Sequence, residues 1–113
     1  MAEDGTKLII TVDCGIVDVV PAKTAKALGL EMIITDHHLP QSKLPPAVAI
    51  LDNKQADDKY PYKMLCGATM AFKLVQALMQ KSQHEFKEGW EKWLLDLVAI
   101  ATISDMVPLE DEN

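Results

Sequence analysis

Carboxylates and imidazoles recur in this chain at the ends of short apolar runs. Asp13 closes the run KLIITVD (7–13). Asp36 comes after EMIIT (31–35) and is itself succeeded by His37 and His38. Asp52 comes after AVAIL (47–51), and Asp105 sits in ISDMVP, just past a longer apolar stretch. Carboxylate oxygen combined with imidazole nitrogen suits Mn²⁺ or Mg²⁺ in phosphoryl chemistry and would tolerate Zn²⁺ or Co²⁺. Hydrolysis of a phosphodiester needs water made nucleophilic at neutral pH and charge neutralised on the phosphoryl oxygens, and paired cations do both. The attacking group is then water, and no side-chain nucleophile is required.

Each of these residues also has a plainer reading. An aspartate after a strand is by itself more often a turn or helix-cap residue than a ligand. An adjacent histidine pair is more often a surface feature, and Asp105 alone fits a cap or turn. Asp52 has no further support and is read as a turn residue. Cys14, beside Asp13, reads as a small buried side chain, because no basic partner lies near it in sequence. Trp90 and Trp93 fit core or helix packing, and the lysines are scattered and define no patch.

The elements that must position these groups can be read from local pattern. The run 7–13 is short and rich in β-branched residues, as in a buried strand of a parallel sheet. Residues 18–28 (DVVPAKTAKAL) read as a helix with Asp18 as N-cap, Pro21 in the first turn and Gly29 as the stop. Residues 31–35 form a second strand, so the unit is β-α-β with parallel strands and a right-handed crossover. Three prolines make 39–46 a loop. A third strand is expected at 47–51 and a long surface loop at 53–63. A helix at 67–80 carries apolar residues at helical spacing. A further helix at 90–103 has an apolar run dense enough to predict burial on most sides. Residues 106–109 are expected to be extended. The predicted fold class is therefore α/β with a parallel sheet, and Asp13 and Asp36 end neighbouring strands, where open α/β sheets bind their ligands.

Composition narrows the class further. The chain is 49% hydrophobic and 25% charged, an ordinary globular balance that excludes disorder by composition. The formal net charge of −6 shows no basic face of the kind a free-standing nucleic-acid binder carries. Cations bound by carboxylates, or a basic partner, would have to supply the positive field for a phosphate substrate. The two cysteines, Cys14 and Cys66, lack metal-motif spacing, and free thiols fit a reducing, cytoplasmic compartment. Residues 1–6 read as a polar leader with no signal-peptide pattern, and no apolar run is long enough to span a bilayer.

Taken together, TVDCGI (11–16), IITDHH (33–38) and DLVAIATISDMVPL (96–109) resemble motifs of the DHH phosphoesterases. The stretch 44–78, with LPPAVAILDNK, a Tyr-Pro and a Gly-started helix carrying Ala-Phe-Lys, is similar to the RecJ branch in particular. The resemblance covers roughly residues 7–112. It implies a three-layer parallel-sheet domain and a metal-dependent 5′-to-3′ exonuclease on single-stranded DNA, acting in DNA repair and recombination with Mn²⁺ or Mg²⁺. Carried over by position, it implies Asp13, His37 and Asp105 as metal ligands. It places His38 by the metal centre against the scissile phosphate and Asp36 as the group orienting an imidazole, the pair being the candidate catalytic residues.

The chain departs from that family in two expected respects. No DxD-type first motif precedes Asp13, and no Gly-rich DHHA1 region comes after, so residues 7–113 are expected to be a truncated DHH domain with weak or no activity alone. Exposed edges of such a domain would favour a homo-oligomer. Two other functions fit the same motifs. One is a smaller DHH phosphoesterase acting on nanoRNA, cyclic dinucleotides or pyrophosphate, against which the 44–78 stretch argues. The other is a non-catalytic scaffold, against which the retained Asp13, Asp36, His37, His38 and Asp105 argue.

Overall fold

The computed structural model describes residues 1–113. Three strands, β1 (Leu8–Val12), β2 (Glu31–Thr35) and β3 (Ala49–Leu51), form one parallel sheet in the order β1-β2-β3. The register sets Val12 beside Thr35 and Thr35 beside Leu51, so all three strands end at the same level. The residues next in the chain, Asp13, Asp36 and Asp52, therefore emerge along one rim.

Helix α1 (Val19–Ala27) connects β1 to β2. Its Ala22 and Ala25 pack with Leu30, Met32 and Ile34 in the buried cluster, and Ile9 and Ile50 close the cluster from the flanking strands. Small alanines on the helix let it lie close to the branched side chains of β2. Pro21 falls in the first turn, where its missing N–H costs no helical bond. Gly29 adopts φ +75°, the left-handed stop expected of it. Asp18 does occupy the N-cap position, but its side chain makes no capping bond.

Helix α2 (Gly67–Lys81) starts deep in the fold, with Gly67, Thr69 and Met70 buried. A short 3₁₀ turn (Trp90–Leu94) leads into helix α3 (Leu95–Ser104), which packs against α2. At the junction, Cys66 Sγ lies 3.3 Å from Thr69 Oγ1 and 3.7 Å from Thr102 Oγ1, three small polar groups satisfying one another between the two helices. The last residues fold back on the loop before α2. Asn113 donates to Met64 O at 2.7 Å and to Pro108 O at 2.9 Å, and Glu112 accepts from Tyr60 and Lys73.

Several expectations are corrected. The strands are shorter than expected, 8–12 rather than 7–13 and 49–51 rather than 47–51, and β1 is not a buried strand, because it is the edge of the sheet and Leu8, Ile10 and Val12 are exposed on its uncovered face. Helix α3 is not buried on most sides. Thr102 is its one buried residue, and Ile100 is 66% exposed, because only α2 and the preceding turn cover it. Residues 106–109 form no strand, with Met106 in the turn that closes α3 at φ +53° and Leu109 in a bend. Cys14 is exposed and Trp93 is 83% exposed, so neither is a core residue. Asn53, placed in a surface loop by its polarity, is buried and donates to Tyr62 O at 2.7 Å. No helix is long and apolar enough to cross a membrane.

The turn after β1 depends on Gly15, at φ +113°. A Cβ there would lie 2.8 Å from Thr11 Oγ1 and 3.3 Å from Ile34 Cγ2. Thr11 Oγ1 is itself committed to Cys14 O at 2.8 Å, so it is not free to give way. Gly15→Ala is expected to cost about 2 kcal/mol through strain and overpacking. Chemical denaturation checks this, and an unchanged midpoint would contradict it.

Candidate metal centre

Asp36 is the most constrained side chain on the strand-end rim. It is 1% exposed, and both its oxygens are used. Oδ2 accepts from Ile16 N at 2.9 Å. Oδ1 accepts from His37 N at 2.7 Å, from His38 N at 3.2 Å and from His38 Nδ1 at 2.7 Å. Burial pushes its carboxyl up, but the bonds from Ile16, His38 and His37 together outweigh burial and hold it below the usual carboxylate range. An ionised carboxylate only accepts, so Nδ1 of His38 carries the proton and Nε2 is the ring's other face. The same bond to Asp36 pushes His38 above the ordinary histidine value, against a smaller opposing effect of burial.

His37 is arranged differently. Its ring is buried, and Nε2 lies 3.0 Å from Asp13 Oδ1 and 3.5 Å from Asp105 Oδ2. Neither approach has hydrogen-bond geometry, and both ring nitrogens lack a partner. Asp13 succeeds β1 at φ +62°, a left-handed conformation that aspartate tolerates better than most side chains. Its N–H continues the ladder to Thr35 O at 2.9 Å, which fixes the backbone from which the carboxylate projects. Asp105 caps the C-terminal end of α3.

Asp13, His37 and His38 each offer a ligand atom within 4.8 Å of one another. Asp105 joins them through His37. The donor set passes a simple physical test for a cation. A buried imidazole faces two carboxylates without bonding to either, which leaves polar groups unsatisfied unless something between them is shared. Two carboxylates and one imidazole fit a divalent ion of the Mn²⁺ type. The site's negative charge, with Lys54 the cation felt at His38, points the same way.

Asp13, Asp36, His37, His38 and Asp105 thus come together in one cluster, and Asp52, though on the same rim, bonds to none of them. Asp52 is indeed a turn residue, accepting from Lys54 N at 2.8 Å. It is also 1% exposed with Oδ2 unpartnered, and burial pushes its carboxyl up. Two further contributors escape a reading by residue type. Ile16 acts through its backbone N–H, which no side-chain pattern announces. Gly67 lies against Asp13, and its only signal is a glycine opening a helix.

Residues 2–102 match the family described as DHH family, N-terminal domain. The chain belongs to that family. Its curated relatives include the single-stranded-DNA-specific exonuclease RecJ of Bacillus subtilis (strain 168), 52% identical over 111 residues that cover 98% of this chain and 13% of the relative. RecJ of Escherichia coli (strain K12) is 40% identical over 119 residues, covering 96% of this chain and 20% of the relative. Among solved structures, a crystal structure of exonuclease RecJ bound to manganese matches with a TM-score of 0.74 and 31% identity, over 94% of this chain and 26% of that one. The chain therefore spans a fifth or less of the length of these two curated relatives.

Asp36→Ala would strip acceptors from three backbone N–H groups and from the His38 ring. Leaving those donors unmet is expected to cost about 3 kcal/mol. Thermal or urea unfolding measures it, and a loss below about 1 kcal/mol would contradict the role given to this carboxylate.

Proposed function

We propose that this chain carries metal-dependent phosphodiester hydrolysis of the RecJ kind, acting 5′-to-3′ on single-stranded DNA in cytoplasmic repair and recombination. The observation that supports it most is the convergence of Asp13 and Asp105 on the unpartnered Nε2 of His37. Similarity to RecJ exonucleases along nearly the whole chain supports the substrate class.

In this reading Asp13, His37 and Asp105 hold a cation, Mn²⁺ or Mg²⁺. When bound, it supplies Lewis-acid chemistry, acidifying water and neutralising charge on the phosphoryl oxygens. Asp13 and Asp105 provide the negative charge that retains it. His37 is fixed by its backbone N–H to Asp36 and presents Nε2 to the two carboxylates. His38 stays protonated on Nδ1 through Asp36 and keeps its Nε2 edge, on a ring well exposed to solvent, for a phosphate oxygen. Its raised pKa favours the imidazolium, which attracts an anion. Asp36 touches no substrate in this scheme and orients His38.

The donors present suffice for one cation. Asp36 is fully engaged by hydrogen bonds, and Asp52 is enclosed, with Oδ1 accepting from Lys54 N and Oδ2 shut off from solvent, so neither presents an accessible oxygen to a second ion. The 113-residue chain is therefore expected to bind one Mn²⁺ weakly and to degrade single-stranded DNA slowly or not at all. Calorimetric titration with Mn²⁺ and a single-stranded-DNA digestion assay test this together. Binding that disappears in the Asp13→Ala, His37→Ala double variant supports the ligand set. Binding unchanged in that variant would overturn it, and digestion at ordinary enzymatic rates would overturn the one-cation account.

A further inference from the structure

Helix α2 begins where β1 ends, and the contact between them is a bare glycine. A Cβ built on Gly67 would fall on Oδ1, Cβ and Cγ of Asp13, far inside van der Waals contact with all three. These atoms run through the Asp13 side chain from its base to its tip, so a rotation of the carboxylate alone cannot clear them.

Neither partner is free to withdraw. Asp13 is held by its N–H to Thr35 O at 2.9 Å and by the left-handed turn at φ +62°. The start of α2 is locked by buried Leu65, Cys66, Thr69 and Met70, and through the Cys66–Thr102 contact by α3. A helix wedged on both sides has no direction in which to retreat.

We infer that Gly67 is a positioning residue, whose missing side chain sets where the Asp13 carboxylate stands beside His37. The helix start acts as a wall one hydrogen atom thick. With glycine there, Asp13 Oδ1 comes to 3.0 Å from His37 Nε2. With any Cβ there, the carboxylate must leave that position beside His37. The positioning role rests on the reading of Asp13 as a cation ligand, but the contact itself does not.

The two are separated by a double-mutant cycle on the 113-residue chain. Gly67 is helical and not at positive φ, so alanine at that position would by backbone entropy alone raise stability slightly. Asp13→Gly suits the left-handed turn and removes every atom in the clash. Gly67→Ala is expected to lower the urea midpoint of the parent chain, but to leave it unchanged or raise it in the Asp13→Gly background. In the parent background it is also expected to weaken Mn²⁺ binding at least tenfold, with helical circular dichroism retained. An equal drop of midpoint in both backgrounds would overturn the contact. Mn²⁺ binding by Gly67→Ala equal to that of the parent would overturn the positioning role. If the parent binds no Mn²⁺, the ligand reading of Asp13 and the metal-positioning role fall together. The sign reversal in the stability cycle would still decide the contact by itself.

Discussion

A buried carboxylate must be compensated or it will not stay charged, and Asp36 is compensated four times over. That single group ties together parts of the chain that secondary structure alone leaves independent. Its Oδ2 holds Ile16, and thus the turn after β1. Its Oδ1 holds the backbone of His37 and His38, and thus the turn after β2. The ladder between β1 and β2 aligns the strand ends, and this carboxylate fixes the loops beyond them. Because the bonds to it favour the ionised form over the cost of burial, the lock holds at neutral pH and weakens only when acid protonates it.

The contrast with His37 gives the site its character. One step along the chain from a fully satisfied acceptor sits an imidazole with both nitrogens unsatisfied, facing Asp13 and Asp105. A fold that places so many hydrogen bonds on Asp36 does not leave His37 bare for want of donors or acceptors nearby. The satisfied residue makes the scaffold, and the unsatisfied set is what a divalent ion would complete. The three parts of that set come from distant stretches of chain: the end of β1, the end of β2 and the end of α3. The start of α2 touches the first of these through Gly67 and reaches α3 through Cys66 and Thr102.

Much of this is legible in the sequence. The apolar runs ending at Asp13 and Asp36 declare parallel strands, Gly29 declares the end of α1, and the rim position of the aspartates is a consequence of the β-α-β order. The parts that are not legible depend on neighbours distant in sequence. The run 94–103 is apolar enough for a buried helix, but burial needs a covering surface, and only α2 and the preceding turn supply one. Cys14 looks like a core residue by type, but the left-handed turn at Asp13 carries it outward. Asn53 looks like a loop residue by type, but its amide is needed inside by Tyr62 O. Ile16 contributes only a backbone N–H, and Gly67 contributes only the absence of a side chain. Neither role has a residue type to betray it.

If the Asp36 lock presents Asp13, His37 and Asp105 as one cation site, substoichiometric Mn²⁺ must find that rim before any other acidic surface. Paramagnetic broadening of the ¹H–¹⁵N spectrum tests this most directly. Broadening should be strongest at the amides of Asp13, His37, His38 and Asp105, and should disperse when Asp36 is replaced by alanine in a chain that remains folded. Broadening centred instead on the acidic residues Glu110, Asp111 and Glu112 would contradict the account, because the cation would then be answering surface charge and not the geometry at the strand ends.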